Sequence, residues 1–192
     1  KTILHRNFKI KRQRAKKKLF DVLSRNEIDK LFYHVNNAKH RLVLNILYYT
    51  GVRVSELINI KLNDIDIERN MLHVRNGKGS KDRFIFINEK LKAELVKYIS
   101  SLENLFNENL YLFHTRHNTK YSVRSIQIIC KIYLIRAGIK KNITPHGFRR
   151  TFATHAFENE TNPNHLQRSM GHANNQTTYG YINYISTSKI HL

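Results

Sequence analysis

The sequence predicts an α+β fold that is mainly α-helical and contains one small antiparallel sheet. Most of the chain repeats its apolar residues with helical spacing, and several of these stretches begin at a capping residue and end at a glycine. One stretch, from Met71 to Ile87, alternates with period two around a glycine-rich connection instead. With 192 residues and 41% hydrophobic content, the chain is long enough to bury the core of one compact domain.

The first predicted helices follow a basic N-terminal segment. Ser24 with Glu27 three residues later makes a capping box, so we expect a helix to begin there. A second, apolar helix covers residues 42–49 and ends at Gly51, because glycine suits the left-handed conformation of a helix cap. A further helical turn begins at residues 55–57.

The stretch with period two predicts a β-hairpin. The segments MLHVR and RFIFI flank the connection NGKGSKD, which places Lys78 and Lys81 in the turn. A lysine in a tight turn is most often a solvated turn residue when nothing else is known about it. The hairpin lysines therefore need further context before they indicate a function.

Helical spacing returns after the hairpin. Twice, a threonine or asparagine is followed by proline, a pair that is typical of a cap and the first residue of a helix. The predicted helices cover residues 89–99, 122–137 and 146–157, and a last helix from 163 to near Gly171.

The charge balance favours a polyanionic partner. The chain has 34 Lys plus Arg against 14 Asp plus Glu, a formal net charge of +20. Such an excess favours phosphate contacts through counterion release, so nucleic acid is the expected partner. No long apolar run or signal-peptide pattern supports a membrane partner.

The N-terminal segment is the most basic part of the chain. Nine of the first 20 residues are Lys or Arg. We interpret residues 1–20 as a basic linker or arm that follows the DNA backbone, and a solvated, disordered tail is the alternative. Because the sequence begins at Lys1 rather than Met, we expect the chain to be part of a longer protein.

The cysteine count indicates the redox environment of the protein. A single cysteine, Cys130, excludes an internal disulfide framework and fits a reducing compartment. Cys130 lies in a helical pattern, and we interpret it as a core residue.

Four motifs follow one another along the chain. They read TGVRVSEL, GKGSKDR, PHGFRRTFATH, and MGH followed by TTYGY. Each is weak alone: Arg53 and Glu56, at i and i+3, are more often a modest ion pair than a site. His146 and Arg149 would share a helix face and contact one phosphate together, but such an HxxR pair also occurs by chance. Their combination and order are far more specific than any one of them.

Taken together, the motifs strongly resemble the tyrosine recombinase (phage integrase) family, particularly its Xer-like members, over about residues 20–185. The resemblance implies that residues 21–192 form the family's catalytic domain, with a hairpin lysine on its small sheet. It also implies that the family's N-terminal core-binding domain, which clamps DNA, is absent from this chain. Residues 1–20 would then be the linker from that domain.

The resemblance carries the family's site residues onto this chain. Tyr181 is chosen as the nucleophile because it lies nine residues after His172 and completes a TTxxY pattern, with Tyr179 as the alternative. Arg150 departs from the pattern, since many relatives have a histidine there. The implied catalytic residues are Arg53, Lys78, His146, Arg149, His172 and Tyr181, supported by Glu56. The expected DNA contacts are Lys16, Lys17, Lys18, Lys81, Arg83 and Arg150.

Roles follow from the resemblance and from phosphoryl-transfer chemistry. Tyr181 would attack the scissile phosphate and form a 3′-phosphotyrosyl bond. Arg53 and Arg149 would hold the non-bridging oxygens, with His172 as a further donor. Lys78 would be the general acid for the departing 5′-hydroxyl. His146 would assist proton transfer at the nucleophile. No metal or cofactor is expected, since these cations take its place.

The predicted function is that of a site-specific DNA recombinase that exchanges strands through a Holliday junction. The resemblance implies a homo-tetramer on DNA, a monomer free in solution, and a cytoplasmic, nucleoid-associated location. Two alternatives stay open: a catalytically idle DNA-binding protein of the same fold, and a nicking-closing enzyme like the type IB topoisomerases. A basic RNA-binding module is disfavoured, because the chain lacks the aromatic-rich strands or the GXXG loop of common modules.

Overall fold

The computed structural model describes residues 21–75, 82–102, 110–159 and 161–171. Within these ranges the fold is α+β and mainly helical, as predicted. The helices are α1 Arg25–Tyr33, α2 Ala38–Thr50, α3 Val54–Leu57, α4 Glu89–Ser100, α5 Val123–Arg136, α6 Pro145–Glu158 and α7 Pro163–Met170, with a 3₁₀ turn at Leu62–Asp64. The strands β1 Ile65–Asp66, β2 Met71–Val74 and β3 Arg83–Phe86 form an antiparallel sheet in the order β1-β2-β3.

Two predicted caps, Ser24 and Gly51, form as expected, whereas Thr144 lacks a side-chain cap hydrogen bond. Ser24 Oγ accepts the N–H of Glu27 at 3.2 Å, and the Glu27 carboxylate accepts the N–H of Ser24 at 2.7 Å, which confirms the capping box. Gly51 caps α2 with a φ of 59°, in the left-handed conformation that the sequence predicted. At the start of α6, the Thr144 side chain makes no cap hydrogen bond. The fixed φ of Pro145, the first residue of α6, favours the start of the helix at this position instead.

The hairpin is confirmed as far as the structure describes it. Strands β2 and β3 pair His73 with Phe84 and Val74 with Arg83. The connection at residues 76–81, which contains Lys78 and Lys81, lies outside the described residues. Strand β1 was not predicted, because its two residues are too short to show a period of two.

Helix α2 lies at the centre of the domain. Five consecutive or near-consecutive apolar side chains of this helix are essentially inaccessible to solvent: Leu42, Val43, Leu44, Ile46 and Leu47. A helix that is apolar on nearly every side must be covered on nearly every side, and α2 packs against α3, α4, α5 and α6. The junction after α2 is therefore held firmly, and it carries the first of the predicted site residues.

Two further features concern the core and the surface. Cys130 is buried in the core on α5, as predicted, and burial raises the pKa of its thiol to about 12. Among the described helices, none is both long enough and apolar enough to cross a membrane.

Candidate functional site

The described residues include part of the predicted site. Arg53, Glu56, His146 and Arg149 are described, and so are Arg83 and Arg150. The other predicted residues lie outside the described residues, and their assignments stay predictions: Lys16, Lys17, Lys18, Lys78, Lys81, His172 and Tyr181.

Gly51 brings helix α6 close to the junction between α2 and α3. A Cβ atom at Gly51 would lie 2.4 Å from Cδ1 of Phe152, a residue of α6. Position 51 therefore requires glycine both for its positive φ and for the space that the ring occupies. The carbonyl oxygen of Gly51 accepts a hydrogen bond from Nη1 of Arg149, so the same close approach anchors a predicted site residue.

Arg149 and Arg53 meet at the end of helix α7. Nη2 of Arg149 donates to the carbonyl of Met170 at 2.6 Å, and Nη2 of Arg53 donates to the carbonyl of Gly171 at 3.0 Å. The last carbonyls of a helix have no partner within it and carry the negative end of the helix dipole, so they suit guanidinium donors. The two arginines, one before α3 and one inside α6, are thereby fixed beside adjacent carbonyls.

The arginines differ in how far solvent reaches them. The Arg149 residue is 2% exposed, whereas the side chain of Arg53 is 27% exposed. A buried guanidinium is costly unless it is hydrogen-bonded, and the carbonyls of Gly51 and Met170 meet that need for Arg149. Arg53 is thus the more accessible of the two to a bound anion.

Glu56 lies on α3 and accepts two hydrogen bonds from Arg53. Oε1 of Glu56 accepts from Nη1 of Arg53 at 2.8 Å, and Oε2 accepts from the backbone N–H of Arg53 at 2.8 Å. The i, i+3 ion pair that the sequence indicated is therefore present. Burial raises the pKa of Glu56, but hydrogen bonds from Arg83 and from the Arg53 backbone outweigh it and lower the pKa to about 2. Glu56 is consequently ionised at neutral pH.

Arg83 is the site residue whose surroundings the sequence reasoning missed. We expected it to contact DNA, yet its guanidinium donates to both carboxylate oxygens of Glu56, at 3.0 and 2.8 Å. The signal was present in the strand alternation: residue 83 shares its face with Ile85, which is buried. A charged residue on the inward face of a strand indicates a buried partner.

His146 lies in the first turn of α6, one turn before Arg149. Part of the His146 side chain is accessible to solvent. The atoms packed around the rest of the ring desolvate it and lower its pKa, and the positive charges of Arg150, Arg149 and Arg53 lower the pKa further. The imidazole is therefore neutral at neutral pH. A neutral imidazole can accept a proton, which is what the predicted role of His146 demands.

The described part of the site combines guanidinium groups, one ionised carboxylate and one neutral imidazole. Guanidinium groups fixed by backbone and carboxylate acceptors suit the binding of a phosphate group. No group of three His, Cys, Asp or Glu residues that could hold a metal ion occurs in the part of the chain that the structure describes.

The fold and this cluster define a class: a small, mainly helical domain with a cluster of hydrogen-bonded arginines. The model of the phage integrase family matches residues 21–186, and the chain belongs to that family. Among its relatives, tyrosine recombinase XerA of Pyrococcus horikoshii is 36% identical over 176 residues, which cover 90% of this chain and 60% of the relative. Tyrosine recombinase XerD of Oceanobacillus iheyensis is 37% identical over 173 residues, covering 86% of this chain and 58% of the relative.

Solved structures agree with the family. A crystal structure of XerA recombinase matches with a TM-score of 0.80 and 31% identity, covering 88% of this chain and 61% of that one. The recombinase XerH bound to its difH substrate matches with a TM-score of 0.74 over 84% of this chain and 49% of that one. At 21% identity, the XerH match shows the fold alone. The chain spans about 60% of the length of the curated relatives it matches first.

Proposed function

We propose that this chain is the catalytic domain of a site-specific tyrosine recombinase that cleaves and rejoins DNA. One observation carries the proposal: Arg53 and Arg149 are fixed at the carbonyls of Gly171 and Met170, directly before His172 in the sequence. Two arginines far apart along the chain thus meet at one helix end, which supports their assignment to one site. Guanidinium groups held at adjacent carbonyls can bind the non-bridging oxygens of one phosphate.

The proposed reaction conserves the energy of the phosphodiester. The phenolic oxygen of Tyr181 attacks the scissile phosphorus, a 3′-phosphotyrosyl bond forms, and the bond from phosphorus to the 5′-oxygen breaks. The Tyr181 proton passes to His146, and the leaving 5′-oxygen takes a proton from Lys78. The reverse reaction with the 5′-hydroxyl of another strand restores a phosphodiester and frees the tyrosine.

Four described residues have a part in this reaction, and the resemblance assigns a further part to His172. Arg53 and Arg149 stabilise the charge that builds on the non-bridging oxygens in the transition state, and His172 adds a donor. Glu56 remains ionised because of its lowered pKa and keeps Arg53 oriented. His146 is neutral because its pKa is lowered, so it is ready to accept the phenol proton.

The partner is double-stranded DNA. A net charge of +20 favours DNA, and XerH, which shares the fold, is bound to its difH substrate. Residues 1–20 act as the basic arm, Lys16, Lys17 and Lys18 contact phosphates beside Lys81 and Arg150, and residues 21–192 form the catalytic domain. A homo-tetramer on DNA exchanges strands through a Holliday junction.

A covalent adduct tests the proposed reaction. Duplexes that bind the protein are selected from a random pool, and one is nicked beside its cleavage position so that religation fails. We expect a protein–DNA adduct that survives denaturation, is lost in Tyr181→Phe and persists in the matched control Tyr179→Phe. An adduct that persists in Tyr181→Phe but disappears in Tyr179→Phe would assign the nucleophile to Tyr179.

The same assay separates the alternatives. No adduct from any selected duplex, with tight binding retained, would indicate a DNA-binding protein without catalysis. Relaxation of a supercoiled plasmid that lacks the selected site would indicate a nicking-closing enzyme instead. For the arm, replacing Lys16, Lys17 and Lys18 by Gln should reduce the slope of log affinity against log salt by about 0.9 for each lost phosphate contact.

A further inference from the structure

We infer that Arg83 is a positioning residue that holds the guanidinium of Arg53 in place through Glu56. The inference rests on the proposed function, because it assigns Arg83 a part in the cleavage of DNA without contact to the DNA. It replaces our sequence-based expectation that Arg83 binds DNA directly.

The guanidinium of Arg83 binds the carboxylate of Glu56 in a bidentate way. Nη1 and Nη2 of Arg83 donate to Oε1 and Oε2 of Glu56, at 3.0 and 2.8 Å, and the two side chains are 11% and 5% exposed. Each carboxylate oxygen also accepts one hydrogen bond from Arg53. Four hydrogen bonds from two directions therefore fix the plane of the carboxylate and, with it, the direction in which Nη1 of Arg53 points.

Arg83 also lies against the segment that accepts from Arg53. A Cβ atom at Gly171 would lie 3.1 Å from Nη1 and 3.2 Å from Cζ of Arg83, so the guanidinium packs closely on that glycine. The carbonyl of Gly171 is the acceptor for Nη2 of Arg53. Arg83 thus supports both acceptors of Arg53, the Glu56 carboxylate and the Gly171 carbonyl.

Arg83 also lies close to Lys78 along the sequence. Arg83 is the first residue of β3 and follows Lys78 by five positions. Strand β3 is therefore tied through Glu56 to the arginine that is proposed to bind the phosphate.

Cleavage and binding are measured separately on the full chain. Arg83→Lys keeps the charge but cannot donate in a bidentate way, and Arg83→Met removes both. We expect the single-turnover rate of adduct formation to fall about 10- to 100-fold in both variants, while DNA affinity and its salt slope stay as in the wild type. Arg69→Lys is the matched control, because Arg69 forms an exposed ion pair with Asp66 on the same sheet, and it should leave the rate unchanged.

A double-mutant cycle tests whether Arg83 acts through Glu56. If it does, Arg83→Met in a Glu56→Gln background adds less than about a threefold further loss, because the carboxylate that relays the effect is already gone. Losses that multiply independently would overturn the inference. Should Arg83→Met fail to fold, Arg83→Lys completes the same cycle.

The pH dependence gives a readout that loss of stability alone would not change. Arg83 and Arg53 are the charged groups that lower the pKa of Glu56. Without Arg83, burial is opposed only by Arg53, so the pKa of Glu56 rises. The rate of Arg83→Met relative to the wild type should therefore fall further at acidic pH, where Glu56 of the variant takes up a proton before Glu56 of the wild type does.

Three other results would also overturn the inference. A salt slope reduced by about one in Arg83→Met would show a direct phosphate contact. A wild-type rate in Arg83→Lys, or a relative rate that does not change with pH, would remove the positioning role. Failure of the proposed function is distinguishable, since the wild-type protein would then form no adduct at all.

Discussion

Gly51 offers the sharpest test of how the site is assembled. In Gly51→Ala, the left-handed φ of 59° costs about 1–2 kcal/mol for a residue with a Cβ, and a less flexible unfolded chain returns about 0.4–1 kcal/mol. The new Cβ would lie 2.4 Å from Cδ1 of Phe152, so the ring must move, and such overpacking costs about 1–3 kcal/mol. We expect a total loss of about 2–4 kcal/mol in the free energy of unfolding.

Gly138→Ala is the matched control. Gly138 has a similar φ of 63°, but its new Cβ would only reach Nζ of Lys30 at 3.6 Å, which is an ordinary contact. The control should therefore show the conformational cost alone, about 1 kcal/mol. Urea unfolding, monitored by circular dichroism, measures the free energy of unfolding of both variants. The difference between the two losses is the cost of the contact with Phe152.

A second substitution relieves the steric part of the effect. Adding Phe152→Leu to Gly51→Ala should recover stability relative to the sum of the two single variants, because the smaller side chain leaves room for the Cβ. Adduct formation should fall more than DNA affinity in Gly51→Ala, since the carbonyl of Gly51 anchors Arg149. If Gly51→Ala is no less stable than Gly138→Ala, the contact between position 51 and Phe152 adds nothing to the loss of stability.

Three further outcomes are expected. Ser24→Ala should cost about 1 kcal/mol in urea unfolding, because Ser24 caps α1, and an unchanged midpoint would show that the cap contributes nothing. A thiol reagent at pH 8 should label Cys130 only as fast as the protein unfolds, because the thiol is buried with a pKa near 12, and rapid native labelling would contradict its burial. The folded pKa of Glu56 is lowered to about 2, so its stabilisation is present above about pH 4.5 and is lost as the pH falls. The stability difference between wild type and Glu56→Gln should thus narrow from pH 5 towards pH 2, and a constant difference would contradict the lowered pKa.

The helices and the hairpin were predictable because their signals are local. Capping residues, glycines with positive φ and apolar periodicity act within a few residues, and the structure has the corresponding elements at these places. Strand β1 escaped prediction because two residues show no periodicity and depend on pairing with β2. The ion pair of Arg53 with Glu56 was also local, at i and i+3.

The meeting of distant residues was beyond local signals. That Arg53 and Arg149 belong to one site came from the family resemblance, and only the packed helices show that they meet at the end of α7. The link from Arg83 to Glu56 depends on tertiary packing between β3 and α3, for which spacing gives no measure. The strand alternation could only indicate that Arg83 faces inward.

The acceptors that fix the two arginines have a consequence for how this protein tolerates genetic change. The carbonyls of Gly51, Met170 and Gly171 belong to the main chain, so no codon change can delete them. Mutational sensitivity at these positions must arise from backbone conformation and from space, as at Gly51 and Gly171, which have a positive φ and close neighbours at the position of a Cβ atom. In a saturation scan, we therefore expect tolerance at Met170 to follow side-chain volume and apolarity, whereas Arg53 and Arg149 accept no replacement.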